Sequence, residues 1–83
     1  MGRMASIHSR EYTVFLKLLR KERKKAGLTQ IDLAKRLNQT QSFVSKCERG
    51  ERRLDIIEVR RFCGAIGIDL KRFAAMLDSA LSA

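Results

Sequence analysis

The chain has 83 residues, of which 45% are hydrophobic and 33% charged, a composition that excludes the apolar-poor class of disordered proteins. Its length predicts one domain with a thin margin of stability. Eighteen lysines and arginines against nine acidic residues give a net charge of +9. This charge favours binding to a polyanion, most often nucleic acid, over the alternative that it serves only to keep the protein in solution.

Small, polar and isolated basic residues make up positions 1–9, and we expect a flexible N-terminal leader there. Apolar residues recur at helical spacing from Arg10 to Lys25, which predicts a first helix that Gly27 ends. The chain contains no proline and no run of alternating β-branched residues. We therefore predict one all-helical domain over residues 10–83.

Two short helices follow, and each begins after a threonine. Thr29 is a favourable N-cap, and Asp32 stands three residues later in a capping-box arrangement. Thr40 is the next predicted cap, after a short polar turn. The third helix then spans about 41–49 and ends at Gly50.

Two further helices are predicted in the last third of the chain. Asp55 and Glu58 form another capping signature, Gly67 ends the fourth helix, and Asp69 caps the fifth. Within residues 69–83 the fifth helix carries more apolar surface than one edge of a small bundle covers, which indicates a dimerisation helix. Its apolar residues are Leu70, Phe73, Met76, Leu77, Ala80 and Leu81. The alternative is that they pack on Val14 and Leu18 of the same chain.

The cysteines and the histidine predict no metal site, and we expect no cofactor. Cys47 and Cys63 are too few for a disulfide framework and are predicted to be small core residues rather than redox sensors. His8 stands apart from both, whereas zinc sites need about four suitably spaced ligands. No apolar run is long enough to cross a bilayer and no signal-peptide pattern is present, so we expect a cytoplasmic protein without a membrane partner.

The second and third helices are the most informative unit. Two short helices joined by a tight turn brace each other, so that the second can lie in the major groove of B-DNA, about 12 Å wide. Ala34 provides the small residue needed where the helices approach each other. The apolar inner faces consist of Leu33, Leu37, Val44 and Cys47.

The stretch from Leu19 to Phe73 resembles the Xre-type, or phage-repressor and Cro-like, helix-turn-helix domain. The matching segments are LRKERKKAGLTQIDLAKRLNQTQSFVSKCERGERRL and VRRFCGAIGIDLKRF, which together cover about two-thirds of the chain. The most specific parts are Gly27-Leu28-Thr29-Gln30, Leu33-Ala34, Val44-Ser45 and Glu48-Arg49-Gly50. The resemblance implies a compact five-helix, lambda-repressor-like bundle that binds double-stranded DNA.

The resemblance also implies roles for individual side chains. The implied base contacts are Gln41, Ser42 and Lys46. The implied phosphate contacts are Gln30, Arg49, Arg52 and Arg53. Elementary chemistry agrees for the two glutamines, because a glutamine can bond adenine at two atoms and a helix N-terminus favours a phosphate. The other basic residues of the first helix are expected to add only a diffuse field.

The same resemblance implies a salt bridge between Arg23 and Glu48, which would join the first helix to the end of the third. The sequence departs from the family pattern at two positions. Cys47 stands where a larger apolar residue is usual, so we expect looser packing there. Leu54 stands where proline is frequent, so we expect a less rigid loop.

These features predict a sequence-specific transcriptional regulator, a repressor that acts as a homodimer on a two-fold operator. The alternative is an antitoxin that binds a toxin protein and represses its own operon. An enzyme is not expected, because no paired carboxylates, nucleophile with a base, or glycine-rich phosphate loop can be recognised. Helix caps and glycine stops favour a compact bundle over a peptide that lies on a membrane surface.

Overall fold

The computed structural model describes residues 9–82, which form five α-helices and no strand. The helices are α1 (Arg10–Lys25), α2 (Gln30–Leu37), α3 (Gln41–Glu48), α4 (Ile56–Ile66) and α5 (Leu70–Ser82). The predicted all-helical, five-helix architecture is therefore confirmed. The leader predicted over residues 1–9 lies outside the described residues, except for Ser9, whose hydroxyl caps α1 by accepting the N–H of Tyr12 at 3.0 Å.

Two reciprocal capping boxes fix the starts of α2 and α4, as predicted. The Thr29 hydroxyl accepts the N–H of Asp32 at 3.0 Å, and the Asp32 carboxylate accepts the N–H of Thr29 at 2.9 Å. Asp55 and Glu58 repeat this exchange at 2.8 and 2.9 Å. Each box satisfies N–H groups that have no partner within the first helical turn, so these boundaries are local properties of the sequence.

Glycine ends α4 where the sequence predicted. Gly67 lies in the left-handed region, at a φ of 100°, and its N–H donates to the carbonyl of Cys63 at 2.9 Å. A side chain at this φ would clash with the backbone, so glycine is favoured there. Gly27 adopts the same conformation after α1, at a φ of 78°.

One hydrophobic core joins all five helices. Its most completely buried large side chains are at most 2% exposed and come from every helix: Leu19, Leu33, Val44, Phe62 and Phe73. Cys47 and Cys63 are buried free thiols within this core, as predicted.

Helix α5 uses part of its apolar stripe inside the chain. Phe73 is 1% exposed and meets Phe15 of α1 edge-on, with ring centroids 6.0 Å apart. Leu18 of α1 and Leu77 of α5 are partly buried against the core. Phe73 is therefore packed within the chain, in contact with Phe15, and has no surface left to offer a partner.

Candidate nucleic-acid interface

Helices α2 and α3 pack directly against each other and form a helix-turn-helix. Leu33 and Ala34 of α2 and Val44 and Cys47 of α3 are all buried in the core. The small Ala34 side chain leaves room for the two backbones to approach each other. The predicted inner faces of the unit are thus in contact, and Leu37, which was also predicted there, is partly buried against the core.

The turn between the two helices is held by backbone geometry. Asn38 adopts the left-handed conformation, with φ 56° and ψ 45°, which asparagine tolerates better than most residues. The N–H of Gln39 then donates to the carbonyl of Ala34 at 2.9 Å. Thr40 caps α3 by accepting the N–H of Phe43 at 3.0 Å. These bonds fix the direction in which α3 leaves the turn.

The outer face of α3 carries the three predicted base contacts. Gln41, Ser42 and Lys46 are exposed, whereas Val44 and Cys47 on the opposite face are buried. The structure therefore brings the three polar side chains to one solvent-facing side of a single helix. This is the arrangement that insertion of a helix into a groove requires.

Gln30, the predicted phosphate contact that begins α2, touches the predicted base contact Gln41. The Nε2 of Gln41 donates to the Oε1 of Gln30 at 2.7 Å. The Nε2 of Gln30 in turn donates to the Oε1 of Glu48 at 3.0 Å. The contact between Gln30 and Glu48, 18 positions apart, is one that sequence reasoning missed.

The predicted pair of Arg23 and Glu48 is confirmed, and it is buried. The guanidinium donates through Nε to Oε2 at 2.6 Å and through Nη2 to Oε1 at 3.0 Å. The two side chains are 7% and 2% exposed. Arg23 also donates through Nη1 to the carbonyl of Leu28 at 2.8 Å. One guanidinium thus joins α1, the loop before α2 and the end of α3.

Arg49, the first predicted phosphate contact of the loop after α3, pairs with Glu51. Their Nε and Oε2 atoms are 2.7 Å apart, and Arg49 also donates to the hydroxyl of Ser45. The hydrogen bond and the charge of Arg49 lower the pKa of Glu51, and Glu51 raises the pKa of Arg49. Both groups therefore stay charged at neutral pH, in a pair that solvent surrounds.

Arg52 and Arg53, the other two arginines of that loop, lie over aromatic rings. The guanidinium carbon of Arg52 is 4.9 Å from the centre of the Phe43 ring, and that of Arg53 is 4.3 Å from the centre of the Tyr12 ring. Arg52 also pairs with Glu58 at 2.8 Å. Cation–π attraction orients both exposed side chains before any ligand arrives.

The loop after α3 is anchored by a bond that the family's usual proline cannot make. The N–H of Leu54 donates to the hydroxyl of Tyr12 at 3.1 Å, and the Leu54 side chain packs against the core. Proline has no N–H, so it would lose this bond. The looser loop expected from Leu54 is therefore offset by a specific contact.

Other kinds of site find little support in the part of the chain that the structure describes. There, no group of three histidine, cysteine or acidic residues lies close enough to bind a metal ion. None of the five helices combines the length and the apolar character needed to cross a membrane. Burial raises the pKa of Cys63 to about 11 and also raises the pKa of Cys47, so neither thiol is activated.

Comparison with known proteins places this geometry in a family. An XRE-family like protein from Pseudomonas syringae pv. tomato str. DC3000 is 47% identical, with a TM-score of 0.83 over 90% of this chain and 92% of that chain. A family model described as helix-turn-helix matches residues 19–73. The chain belongs to the Xre-type helix-turn-helix family. Membership confirms the resemblance seen in the sequence and supports the class of DNA-binding transcription regulators.

The Xre-type fold is shared with a controller protein of restriction and modification. C.Esp1396I, solved as a tetramer in complex with its natural 35 base-pair operator, is 27% identical, with a TM-score of 0.77 over 86% of this chain and 93% of that chain. The wild-type controller protein is 25% identical, with a TM-score of 0.81 over 90% and 99% of the two chains. Comparison with curated protein sequences gives no match.

An apolar groove lies between the start of α4 and the end of α5, and sequence analysis missed its α4 side. Ile56 and Ile57 begin α4 and are 64% and 55% exposed. Ile56 lines the groove together with Leu54, Leu77 and Leu81. The signal in the sequence was the pair of adjacent isoleucines in the first turn of α4, which point about 100° apart around the helix axis and so widen its apolar surface.

Proposed function

We propose that the protein binds double-stranded DNA of defined sequence as a homodimer and represses transcription from a two-fold operator. The observation that carries this proposal is the outer face of α3, where Gln41, Ser42 and Lys46 are exposed on a helix braced by α2. The operator complex of C.Esp1396I, which has the same fold, supports DNA as the partner.

Base recognition is assigned to the first turns of α3. Gln41 can accept a hydrogen bond from N6 of adenine and donate one to N7, which distinguishes adenine from the other bases. Ser42 and Lys46 add a hydroxyl and a cation on the same exposed side. Lysine favours guanine or a phosphate, so this face can bind bases of more than one kind.

Phosphate binding is assigned to the two ends of the helix-turn-helix. Gln30 opens α2, where the free N–H groups and the positive end of the helix dipole favour an anion. Arg49, Arg52 and Arg53 form a basic strip on the loop after α3. These contacts fix the position of the protein on the duplex but do not select a sequence.

Dimerisation is assigned to the apolar groove between the start of α4 and the end of α5. Leu77 and Leu81 of α5 face it together with Ile56 and Tyr12. A single helix-turn-helix reads few base pairs, and a two-fold dimer doubles the site with half-sites about one turn of DNA apart. The exposed Ile56 and the half-buried leucines of the groove provide apolar surface for a second copy to cover.

Selection from a pool of random duplexes tests the proposal. We expect an enriched two-fold site whose affinity falls steeply with salt, by about 0.9 in log–log slope for each neutralised phosphate. Gln41→Ala should then weaken binding to that site by about 1–3 kcal/mol and reduce the sequence preference at one base position. Arg49→Ala should weaken all sequences alike, and Gln39→Ala should leave base preference intact. Failure to enrich any sequence contradicts the proposal.

The dimer is tested by molar mass in solution at micromolar concentration. Leu77→Glu and Ile56→Glu should each place a charge in the interface and give monomers, and Ile56 is exposed enough that its change leaves the fold intact. Ala75→Glu puts the same charge on the exposed side of α5 and serves as the control. A wild-type protein that is monomeric even on DNA contradicts the dimer.

The antitoxin hypothesis differs from this proposal by one partner. A toxin protein that co-purifies with the chain and is neutralised by it would support that alternative. We propose binding without catalysis in either case.

A further inference from the structure

A chain of hydrogen bonds connects the buried core to the side chain assigned to base recognition. Glu48 accepts from Arg23 at both carboxylate oxygens and from the Nε2 of Gln30 at Oε1. Gln30 accepts from the Nε2 of Gln41 at its own Oε1. The buried end of this relay is 2% exposed, and its outer end, Gln41, lies on the exposed face of α3.

The direction of every bond in the relay follows from its buried end. A carboxylate offers only acceptors, so Gln30 has to turn its NH₂ group toward Glu48. The carbonyl oxygen of Gln30 then faces Gln41, which has to donate a hydrogen bond to it from its own NH₂ group. The rotation of each amide, which would otherwise be free to reverse, is thus fixed by the charge on Glu48.

We propose that Glu48 is a positioning residue that sets the order in which Gln41 presents its hydrogen-bond acceptor and donor to a DNA base. The inference rests on the proposed base contact of Gln41. With one N–H held by Gln30, Gln41 keeps its Oε1 and its second N–H for the groove. That pair, in a fixed order, is what two-point recognition of adenine needs. A reversed amide presents the two groups in the opposite order along the groove.

The role differs from structural support because its effect is confined to one base pair. Loss of a purely structural ion pair destabilises the fold and weakens binding to all sequences alike. Loss of the relay instead lets the Gln41 amide rotate, which removes discrimination at the base that Gln41 contacts and leaves the other positions unchanged. The specificity ratio at one position is therefore the diagnostic quantity.

The test compares binding to four duplexes that differ only at the base pair identified with Gln41→Ala. Glu48→Gln should reduce discrimination at this base pair by about tenfold, because a side chain with both a donor and an acceptor no longer fixes the Gln30 amide. In the Gln41→Ala background the same change should have no further effect on discrimination. Glu22→Gln is the matched control, a buried glutamate of α1 whose carboxylate makes no hydrogen bond or ion pair within residues 9–82.

A second variant keeps the test decisive if Glu48→Gln does not fold. Gln30→Leu breaks the relay at a half-buried position and leaves the pair of Arg23 and Glu48 in place. It should weaken binding to all sequences, through loss of the phosphate contact, and in addition remove discrimination at the Gln41 base pair. Unchanged discrimination in either folded variant overturns the proposal.

A measurement without DNA separates this inference from the proposed function. Side-chain amide resonances of Gln30 and Gln41 in the free, ¹⁵N-labelled protein report the relay directly. Glu48→Gln should shift both sets of resonances, and Glu22→Gln should shift neither. If the relay is seen but no DNA sequence is selected, the proposed function fails and the relay stands. If the Gln41 resonances do not respond to Glu48→Gln, the relay is overturned whatever the DNA result.

Discussion

Two arginine–glutamate pairs lie at the end of α3, one on its inner side and one on the loop that follows. The nitrogen–oxygen distances are nearly equal, at 2.6 Å for Arg23 and Glu48 and 2.7 Å for Arg49 and Glu51. The inner side chains are 7% and 2% exposed, whereas the outer ones are 53% and 54% exposed. The distance alone therefore says little about the role of an ion pair, which depends on how far solvent surrounds it.

The difference assigns separate tasks to the two sides of the helix. Water and salt screen the outer pair, so Arg49 can exchange Glu51 for a phosphate at little cost. Water and salt do not reach the inner pair, and removal of one partner leaves an uncompensated charge inside the protein. The inner side thus maintains geometry, and the outer side is the one to which we assign DNA binding.

The largest predicted effect breaks the inner pair. Arg23→Met should lower the free energy of unfolding by about 3–5 kcal/mol, because Glu48 loses its counter-charge and the Leu28 carbonyl loses a donor. Urea unfolding followed by circular dichroism measures the loss. Arg49→Met is the matched change on the outer side and should leave the midpoint almost unchanged.

A double-mutant cycle sharpens this result. Arg23→Met and Glu48→Gln should be strongly coupled, since each removes the partner of the other. Strict additivity of their effects on unfolding would mean that the two groups do not interact in solution. It would also remove the physical distinction between the two sides of α3.

The second prediction concerns access of reagents to the inner side. Cys47 lies on the inner face of α3 and Cys63 on α4, and burial raises the pKa of both thiols, to about 11 for Cys63. Alkylation at pH 8 should be slower in the native protein than in the unfolded chain by orders of magnitude. Mass spectrometry resolves the two sites. Fast native modification of Cys47 would show that the end of α3 opens and would revive the redox-sensor interpretation.

The third prediction uses acid to test the ion pairs that Arg49 and Arg52 form after α3. The hydrogen bond from Arg52 is the largest cause that lowers the pKa of Glu58 from its ordinary value of 4.5, and Arg49 lowers that of Glu51 in the same way. A carboxyl whose pKa is lower in the folded protein than in the unfolded chain stabilises the fold at pH values above its unfolded pKa. This stabilisation is lost as the pH falls through the folded pKa. Unfolding free energy should therefore decline below about pH 4.5.

Substitution identifies the groups responsible for the acid effect. Glu58→Gln should flatten the decline, because the amide cannot titrate. Glu51→Gln should flatten it less, because its pair is more exposed. The measurement is the urea midpoint at several pH values between neutrality and pH 3. An unchanged slope in Glu58→Gln would mean that the arginine does not favour the charged carboxylate in solution.

Helix boundaries could be predicted from the sequence because their causes are local. Thr29 with Asp32, and Asp55 with Glu58, exchange hydrogen bonds across three positions, and Gly67 ends its helix through its own φ. The outer face of α3 followed from helical periodicity once Thr40 fixed its start. The roles of its side chains toward DNA stay predictions.

The contacts that escaped prediction join positions far apart in the chain. Whether Phe73 faces the core or a partner depends on how α5 crosses α1, which no local pattern specifies. The bond between Gln30 and Glu48 needs α2 and α3 at one particular angle. The pair of Arg49 and Glu51 is the exception, because the two residues are only two positions apart and their contact depends on the local conformation of the loop.

The smallest predicted effect concerns Glu51, because under the proposed function its carboxylate and a DNA phosphate compete for Arg49. Glu51→Gln removes one negative charge from the proposed phosphate-binding strip and frees the guanidinium. Affinity should rise a few-fold for the selected site and for unrelated DNA alike, with base preference and folding stability almost unchanged. Asp78→Asn makes the same change of net charge on α5 and is the control.

The sign of the effect decides what the outer pair does. If Glu51→Gln binds DNA more tightly than Asp78→Asn, the local charge and not the total charge is responsible. Glu51 then occupies the Arg49 guanidinium until a phosphate displaces it. Weaker binding would mean that Glu51 instead holds the guanidinium in the pose that phosphate needs. In that case the outer side, like the inner side, would act by fixing geometry, and exposure would no longer separate the two arginine–glutamate pairs.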